Sequence, residues 1–204
     1  MKKALFFLFI VLAAGFREPG AEDLTRAERK FAIDYLEQTR SRLLNDVKGL
    51  SAAQLNFTAN DSSWSVAQCA EHIALSEDLI KEWIHGALLQ PATPGRKSEE
   101  KYTPETLIVI VTDRSHNRAK TGGPWLPEGN FPNTAAAIQA FTGRRDSTIA
   151  YLTSTQDDLK THFIEHPQWG TLDLYQGFIM LSAHCARHTL QLEEVMANPN
   201  FPKQ

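Results

Sequence analysis

The sequence predicts an all-α protein, a four-helix bundle with a long irregular connection between its second and third helices. Three observations carry that expectation. Four long stretches repeat apolar side chains at helical spacing. No two segments alternate apolar and polar residues as paired strands do. Residues 91–133, between the second and third stretches, are rich in turn formers: PATPGRKSEE, then TGGPWLPEGNFPN. Amphipathic helices without strands bury their apolar faces against one another as a bundle.

The first helix is expected over about Leu24 to Gly49. Thr25 with Glu28 reads as a capping box. Leu24, Ala27, Phe31, Tyr35, Leu43 and Val47 form its apolar line, and Gly49 closes it as a C-cap residue would. The second follows NDSSW, with Ser63 or Ser65 as cap, and stops before Pro91. Its stripe is Val66, Cys69, Ile73, Ile80, Trp83 and Ala87. In the irregular section LIVIV has no partner strand, so Pro104–Val111 reads as a buried helical turn or two. A connection this long often covers a site or forms a lid. The third helix starts at Asn133 or Thr134 and carries Phe141, Ile149, Leu152, Leu159 and Phe163, with Gly143 weakening it slightly. HPQWG at 166–170 is a turn. The fourth helix runs from about Leu172 to Ala197, ahead of Pro199, on the line Leu174, Phe178, Leu181, Leu192 and Val195.

The amino terminus stands apart. Lys2 and Lys3 precede an unbroken apolar run of 11 residues, Ala4–Ala14, and small residues follow. That is the pattern of a secretory signal peptide, expected over residues 1–21, with cleavage after Gly15 or Ala21. The run is too short to span a bilayer, which takes about 20 residues, so no stable membrane anchor is expected after processing. No Cys follows the run to carry a lipid. Residues 22–204 then form a single helical domain, secreted or periplasmic. The 204-residue chain carries a net charge of −3 and no basic block, so nothing favours nucleic acid as a partner. Loss of Lys2, Lys3, Arg17 and Glu18 with the leader takes the charge to −5.

The chemistry-bearing residues are histidines. In AHCARHTLQLEEV (183–195), His184 and His188 lie about 40° apart around a helix and one turn apart along it. Two imidazoles so placed can share one cation. The residue after the first His is Cys185, not Glu, which removes the general base of the HExxH peptidases. His72, on the shoulder of the second helix's stripe, supplies a third imidazole from a facing helix. Three protein ligands leave a fourth position open, as catalytic zinc sites do. His85, His116, His162 and His166 fall near helix ends or in loops and read as solvated or capping residues. Cys69 and Cys185 read first as small core residues, with a disulfide or a fourth ligand as the alternatives. Gly177 shares the angle of His184 two turns earlier; it leaves room for a substrate or marks a close helix contact.

Three stretches, WSVAQCAEHIALSEDLI, FTGRRDSTIAYL and GFIMLSAHCARHTLQLEEV followed by NPNFP, resemble the DinB-like superfamily. The resemblance covers roughly Phe31 to Pro202, with the Trp-Ser start of the second helix matched at Trp64 and Ser65. It implies a DinB-like four-helix bundle of the group that includes metal-dependent hydrolases and thiol-dependent transferases. It also implies a divalent cation, Zn²⁺, Ni²⁺ or Mn²⁺, on His72, His184 and His188. An exported member departs from the cytoplasmic transferases, whose small thiol cosubstrates are mainly intracellular.

The expected function is therefore hydrolysis, or transfer of a thiol to an electrophile, on a small molecule at a three-histidine metal site. A cation that lowers the pKa of a bound water to about 7 supplies the nucleophile. No general base is identified: Glu71, Glu77 and Gln191 are near in sequence, but Glu71 points away from the His72 face. Gln191 shares the His184 face and could bond a bound group. The loop Thr121–Pro132, with Trp125 and Phe131, could line the pocket. The alternatives are a metal- or small-molecule-binding module without turnover, and a bundle whose histidines are structural and whose output is dimerisation. A homodimer is compatible with any of these.

Overall fold

The computed structural model describes residues 23–115 and 122–203. The expected leader lies outside the described residues, as do His116 and Thr121. In chain order the elements are α1 (Arg26–Val47), α2 (Ala52–Asn56), α3 (Val66–Leu88), α4 (Pro104–Thr112), α5 (Thr134–Ser154), β1 (Phe163–His166), β2 (Gly170–Asp173) and α6 (Leu174–Met196). The long helices α1, α3, α5 and α6 make the bundle. Each of α1 and α3 packs on both α5 and α6, and α4 lies against α6.

Caps set the helix starts. Thr25 Oγ1 accepts from the Glu28 amide at 3.1 Å, and Glu28 accepts from the Thr25 amide at 2.8 Å, a closed capping box. Ser65, rather than Ser63, caps α3 and forms a second box with Gln68. Asn133 caps α5, and Asp173 caps α6 through a 2.7 Å bond from the Gln176 amide. At the other end of α1, Gly49 takes φ +75° just past the last helical turn.

Three expectations are corrected. The buried line of α1 is Ala32, Leu36, Thr39 and Leu43, rotated from the expected stripe, and Ala27 is exposed. The third long helix ends at Ser154, so Leu159 is buried in a connection and Phe163 opens a strand. The sequence TSTQDD there binds its own backbone: Thr155 Oγ1 accepts from the Asp157 amide, and Asp158 accepts from the amides of Lys160 and Thr161. Such local bonds compete with the helical ladder. Finally, β1 and β2 pair antiparallel, Ile164 opposite Leu172, around the HPQWG turn. Gly170 supplies the positive φ, +74°, that closes this hairpin. Strands of four residues are too short for their alternation to stand out. The hairpin feeds directly into α6, which consequently starts at Leu174 rather than Leu172. LIVIV is helical, as expected, but only partly buried: α4 buries Leu107 and Val111 and leaves Val109 exposed.

A buried ion pair ties three of the long helices together. Arg145 of α5 is fully buried and grips Glu77 of α3 with two nitrogens. Its remaining nitrogen donates to Leu36 O at 3.0 Å and Thr39 Oγ1 at 2.7 Å on α1. Bidentate geometry and a partner for each of the three nitrogens are what a buried guanidinium needs.

Candidate metal centre

The α3–α6 contact positions the candidate ligands. α6 is buried along most of its length, and its buried polar side chains, among them Ser182, His188 and Thr189, meet partners within the protein. His184 and His188 project from consecutive turns of α6, and His72 meets them from the second turn of α3. Ring centroids are 4.3 Å apart for His72 and His188, 4.5 Å for His184 and His188, and 5.0 Å for His72 and His184. One ligating nitrogen from each lies within 4.8 Å of the other two. The three residues picked out by helical phase are therefore one cluster.

Their hydrogen bonds fix which nitrogens face inward. His72 Nδ1 lies 2.6 Å from the carbonyl oxygen of Trp125, which only accepts, so Nδ1 carries the proton. His188 Nδ1 lies 2.9 Å from Gln191 Oε1, and Arg114 Nη1 donates to that same oxygen at 3.2 Å. His72 Nε2 and His188 Nε2 then face each other at 3.2 Å. In neutral rings both are bare lone pairs and cannot bond one another. A cation between them accepts both, and at Zn–N distances of about 2.0–2.1 Å a tetrahedral ion holds its nitrogens a little over 3 Å apart. The donor set and spacing thus fit a divalent ion.

Electrostatics favour the neutral rings. Burial lowers the pKa of His72, the Trp125 carbonyl offsetting part of the effect. His184 and His188 are held well below the ordinary value, first by burial and then by the neighbouring imidazoles. His72 and His188 are buried while His184 is half-buried, so His184 is the most accessible of the three. Trp64 covers the rings of His72 and His188 at 4.9 and 5.9 Å, and the Trp125 ring lies 6.5 Å from His184.

The long connection supplies the wall. Glu71, beside His72, accepts from the Gly129 amide at 2.9 Å, the Asn130 amide at 2.6 Å and the Asn130 side chain at 2.8 Å. That clip holds residues 125–130 as a strap across α3 and delivers the Trp125 carbonyl to His72. A cleft of about 550 Å³ beside the strap is lined by Gln68, Glu71, Pro127, Glu128, Phe131 and Asn133 among others, and by none of the three histidines. Of the two aromatics expected to line a pocket, Phe131 faces this cleft and Trp125 faces the cluster.

The other candidates fall elsewhere. Glu77 is committed to Arg145, Glu71 to the strap, and Gln191 to His188, so none is placed as a general base. Cys69 and Cys185 are free and buried in the core; Cys185 Sγ lies 3.9 Å from Thr39 O of α1. Burial pushes their thiols up to about 12 and about 11. Gly177 is a close helix contact, since a Cβ there would lie 3.0 Å from Ile84 Cγ1. His166 is not a solvated residue: it stacks on Trp169 at 3.9 Å and caps the hairpin turn, its Nδ1 accepting from the amides of Gln168 and Trp169. His85 is exposed beside Tyr151, and His162 is half-buried. Sequence reasoning missed the roles of Arg114, Gln191, Glu71 and the Trp125 carbonyl. The one available signal was Gln191, one turn beyond His188; a backbone carbonyl leaves none.

Comparisons agree with this architecture. YuaE of Bacillus subtilis (strain 168), an uncharacterised protein, is 22% identical over 167 residues, covering 80% of this chain and 96% of YuaE. The solved structure of YfiT from Bacillus subtilis, described as a probable metal-dependent hydrolase with an unusual four-helix bundle topology, superimposes with a TM-score of 0.55. It is 18% identical and covers 88% of this chain and 91% of its own, a likeness of fold. The model of the DinB superfamily matches residues 35–192, and the chain belongs to that superfamily.

Proposed function

We propose that this protein is an exported, divalent-metal-dependent enzyme that hydrolyses a small molecule at a centre held by His72, His184 and His188. One observation carries the reading: two inward Nε2 atoms 3.2 Å apart, each on a ring whose other nitrogen is bound to an acceptor. A cation resolves that juxtaposition. Three neutral nitrogen donors suit Zn²⁺, Ni²⁺ or Mn²⁺ and leave a position open. The description of YfiT as a probable metal-dependent hydrolase supports the same reading. The signal-peptide pattern at residues 1–21 supports export and favours water over an intracellular thiol as the acceptor.

A divalent ion in this place supplies Lewis acidity and lowers the pKa of a ligating water. The chain's own part is threefold. The neutral imidazoles would leave the ion's positive charge undiminished, Trp64 and Trp125 would shield the centre from bulk water, and a substrate would approach beside His184, the most accessible of the three.

Metal analysis of the purified chain tests the site. Wild type is expected to hold one equivalent of metal and the His72→Ala/His184→Ala/His188→Ala variant none. Stoichiometric metal in that variant overturns the assignment. A panel of ester, amide and thiol-acceptor substrates, run with each ion, tests turnover; silence throughout favours a binding module instead.

A further inference from the structure

The geometry points to Arg114 as a positioning residue of the metal centre, acting through Gln191 to fix the tautomer of His188. The inference concerns the same site as the proposed function. Its first readout, however, needs no metal.

An amide side chain is ambiguous. Gln191 could present either its oxygen or its NH₂ group to His188, and the two choices demand opposite tautomers. Facing the oxygen, His188 Nδ1 must donate, and Nε2 is left bare toward His72. Facing the NH₂ group, Nδ1 must accept; the proton moves to Nε2 and blocks coordination. Gln191 alone cannot choose. Arg114 can, because a guanidinium has donors only. Its Nη1 lies 3.2 Å from Gln191 Oε1, and that oxygen also lies 2.9 Å from His188 Nδ1. With the oxygen drawn to Arg114, only Nδ1–H of His188 satisfies the contact.

The fork of Arg114 is itself aimed. Nε and Nη2 bind the two oxygens of Glu194 at 2.7 and 2.8 Å, leaving Nη1 directed at Gln191. Glu194 and Gln191 lie three residues apart on α6, so one guanidinium spans both. Arg114 lies two residues past the end of α4, and Arg187 of α6 holds that end by donating to the carbonyls of Val111 and the C-cap Asp113. The apolar helix α4 thus does more than cover α6: its C-terminal end delivers the residue that orients a candidate ligand.

Two variants of the full mature chain test this. Arg114→Met removes the donor; Arg114→Met/Gln191→Glu replaces the amide by a carboxylate, which accepts from Nδ1 without needing Arg114. Nitrogen-15 NMR of the imidazoles in chelator-treated protein reads the tautomer directly. Wild type and the double variant are expected to show His188 protonated at Nδ1, and Arg114→Met a mixture. Zn²⁺ affinity, measured by chelator competition, is expected to fall about 10–100-fold in Arg114→Met and to recover in the double variant, as loss and restoration of a partner that orients a ligand predict. A wild-type tautomer in Arg114→Met overturns the proposal. So does a double variant that is folded by circular dichroism but does not recover Nδ1–H. If wild type binds no Zn²⁺, the metal reading fails, and the tautomer measurement still decides the role of Arg114.

Discussion

His72 Nε2 and His188 Nε2 face each other 3.2 Å apart across the α3–α6 contact, and neither ring has a proton to place between them. Each ring spends its Nδ1–H on an acceptor outside the pair, the Trp125 carbonyl for His72 and the Gln191 amide oxygen for His188. Two lone pairs at that distance repel in a buried setting. The proposed cation between them would relieve that repulsion.

The strap is expected to matter through Glu71. Glu71→Ala removes the acceptor of three hydrogen bonds from Gly129 and Asn130 and frees the segment that carries the Trp125 carbonyl. The contacts are exposed, so the stability cost is put at about 1–2 kcal/mol by urea unfolding. Zn²⁺ binding is expected to weaken at the same time, whereas Glu128→Ala, on the same strap, leaves both unchanged.

Arg145 is expected to be the most costly single polar residue to lose. Arg145→Met leaves Glu77 buried and unpaired, with an expected loss of about 3–5 kcal/mol in denaturant unfolding. Arg145→Met/Glu77→Leu, which removes both charges, is expected to regain most of it. Equal losses in the single and double variants would contradict the pairing account.

Gly177→Ala is expected to destabilise by about 1–3 kcal/mol, because the added Cβ meets Ile84 Cγ1 at 3.0 Å and Cδ1 at 3.1 Å. Ile84→Val removes Cδ1, the contact at 3.1 Å, and in the Gly177→Ala background is expected to recover part of the loss. Thermal unfolding of Gly177→Ala, Ile84→Val and the double variant checks it.

Acid is expected to loosen the hairpin before it protonates most carboxylates. Burial lowers His166 to about 4, below the ordinary histidine value of about 6.5. The folded state therefore prefers the neutral ring, and the unfolded chain takes up the proton first. This contribution is complete above about pH 6.5 and is lost as pH falls from there toward 4. His72, His184 and His188, also lowered, act in the same direction. His166→Asn keeps an acceptor for the turn but cannot titrate, so its stability, followed by urea unfolding across this range, is expected to fall less steeply than that of wild type.

What was legible in the sequence follows from how far each signal extends. Long helices repeat their pattern over many turns, so α1, α3, α5 and α6 could be read, with the caps of α1 and α3, as could the phase that brings His72 to His184 and His188. The hairpin could not, because four-residue strands carry too few alternations. Arg145 lies on the line of Phe141, Thr148 and Leu152, and Glu77 on that of Ile73, Ile80 and Ile84. Phase would have placed both inside, but charge argues for the surface unless the partner is known. The Trp125 carbonyl and the Arg114–Gln191 contact depend on where the irregular connection lands, which no local pattern encodes.

The most direct test of the metal centre is anomalous diffraction from a crystal of the Zn²⁺-loaded chain. The account predicts one strong peak about 2.0–2.1 Å from His72 Nε2, His188 Nε2 and a ring nitrogen of His184. A peak elsewhere, or none between these three rings, would contradict it.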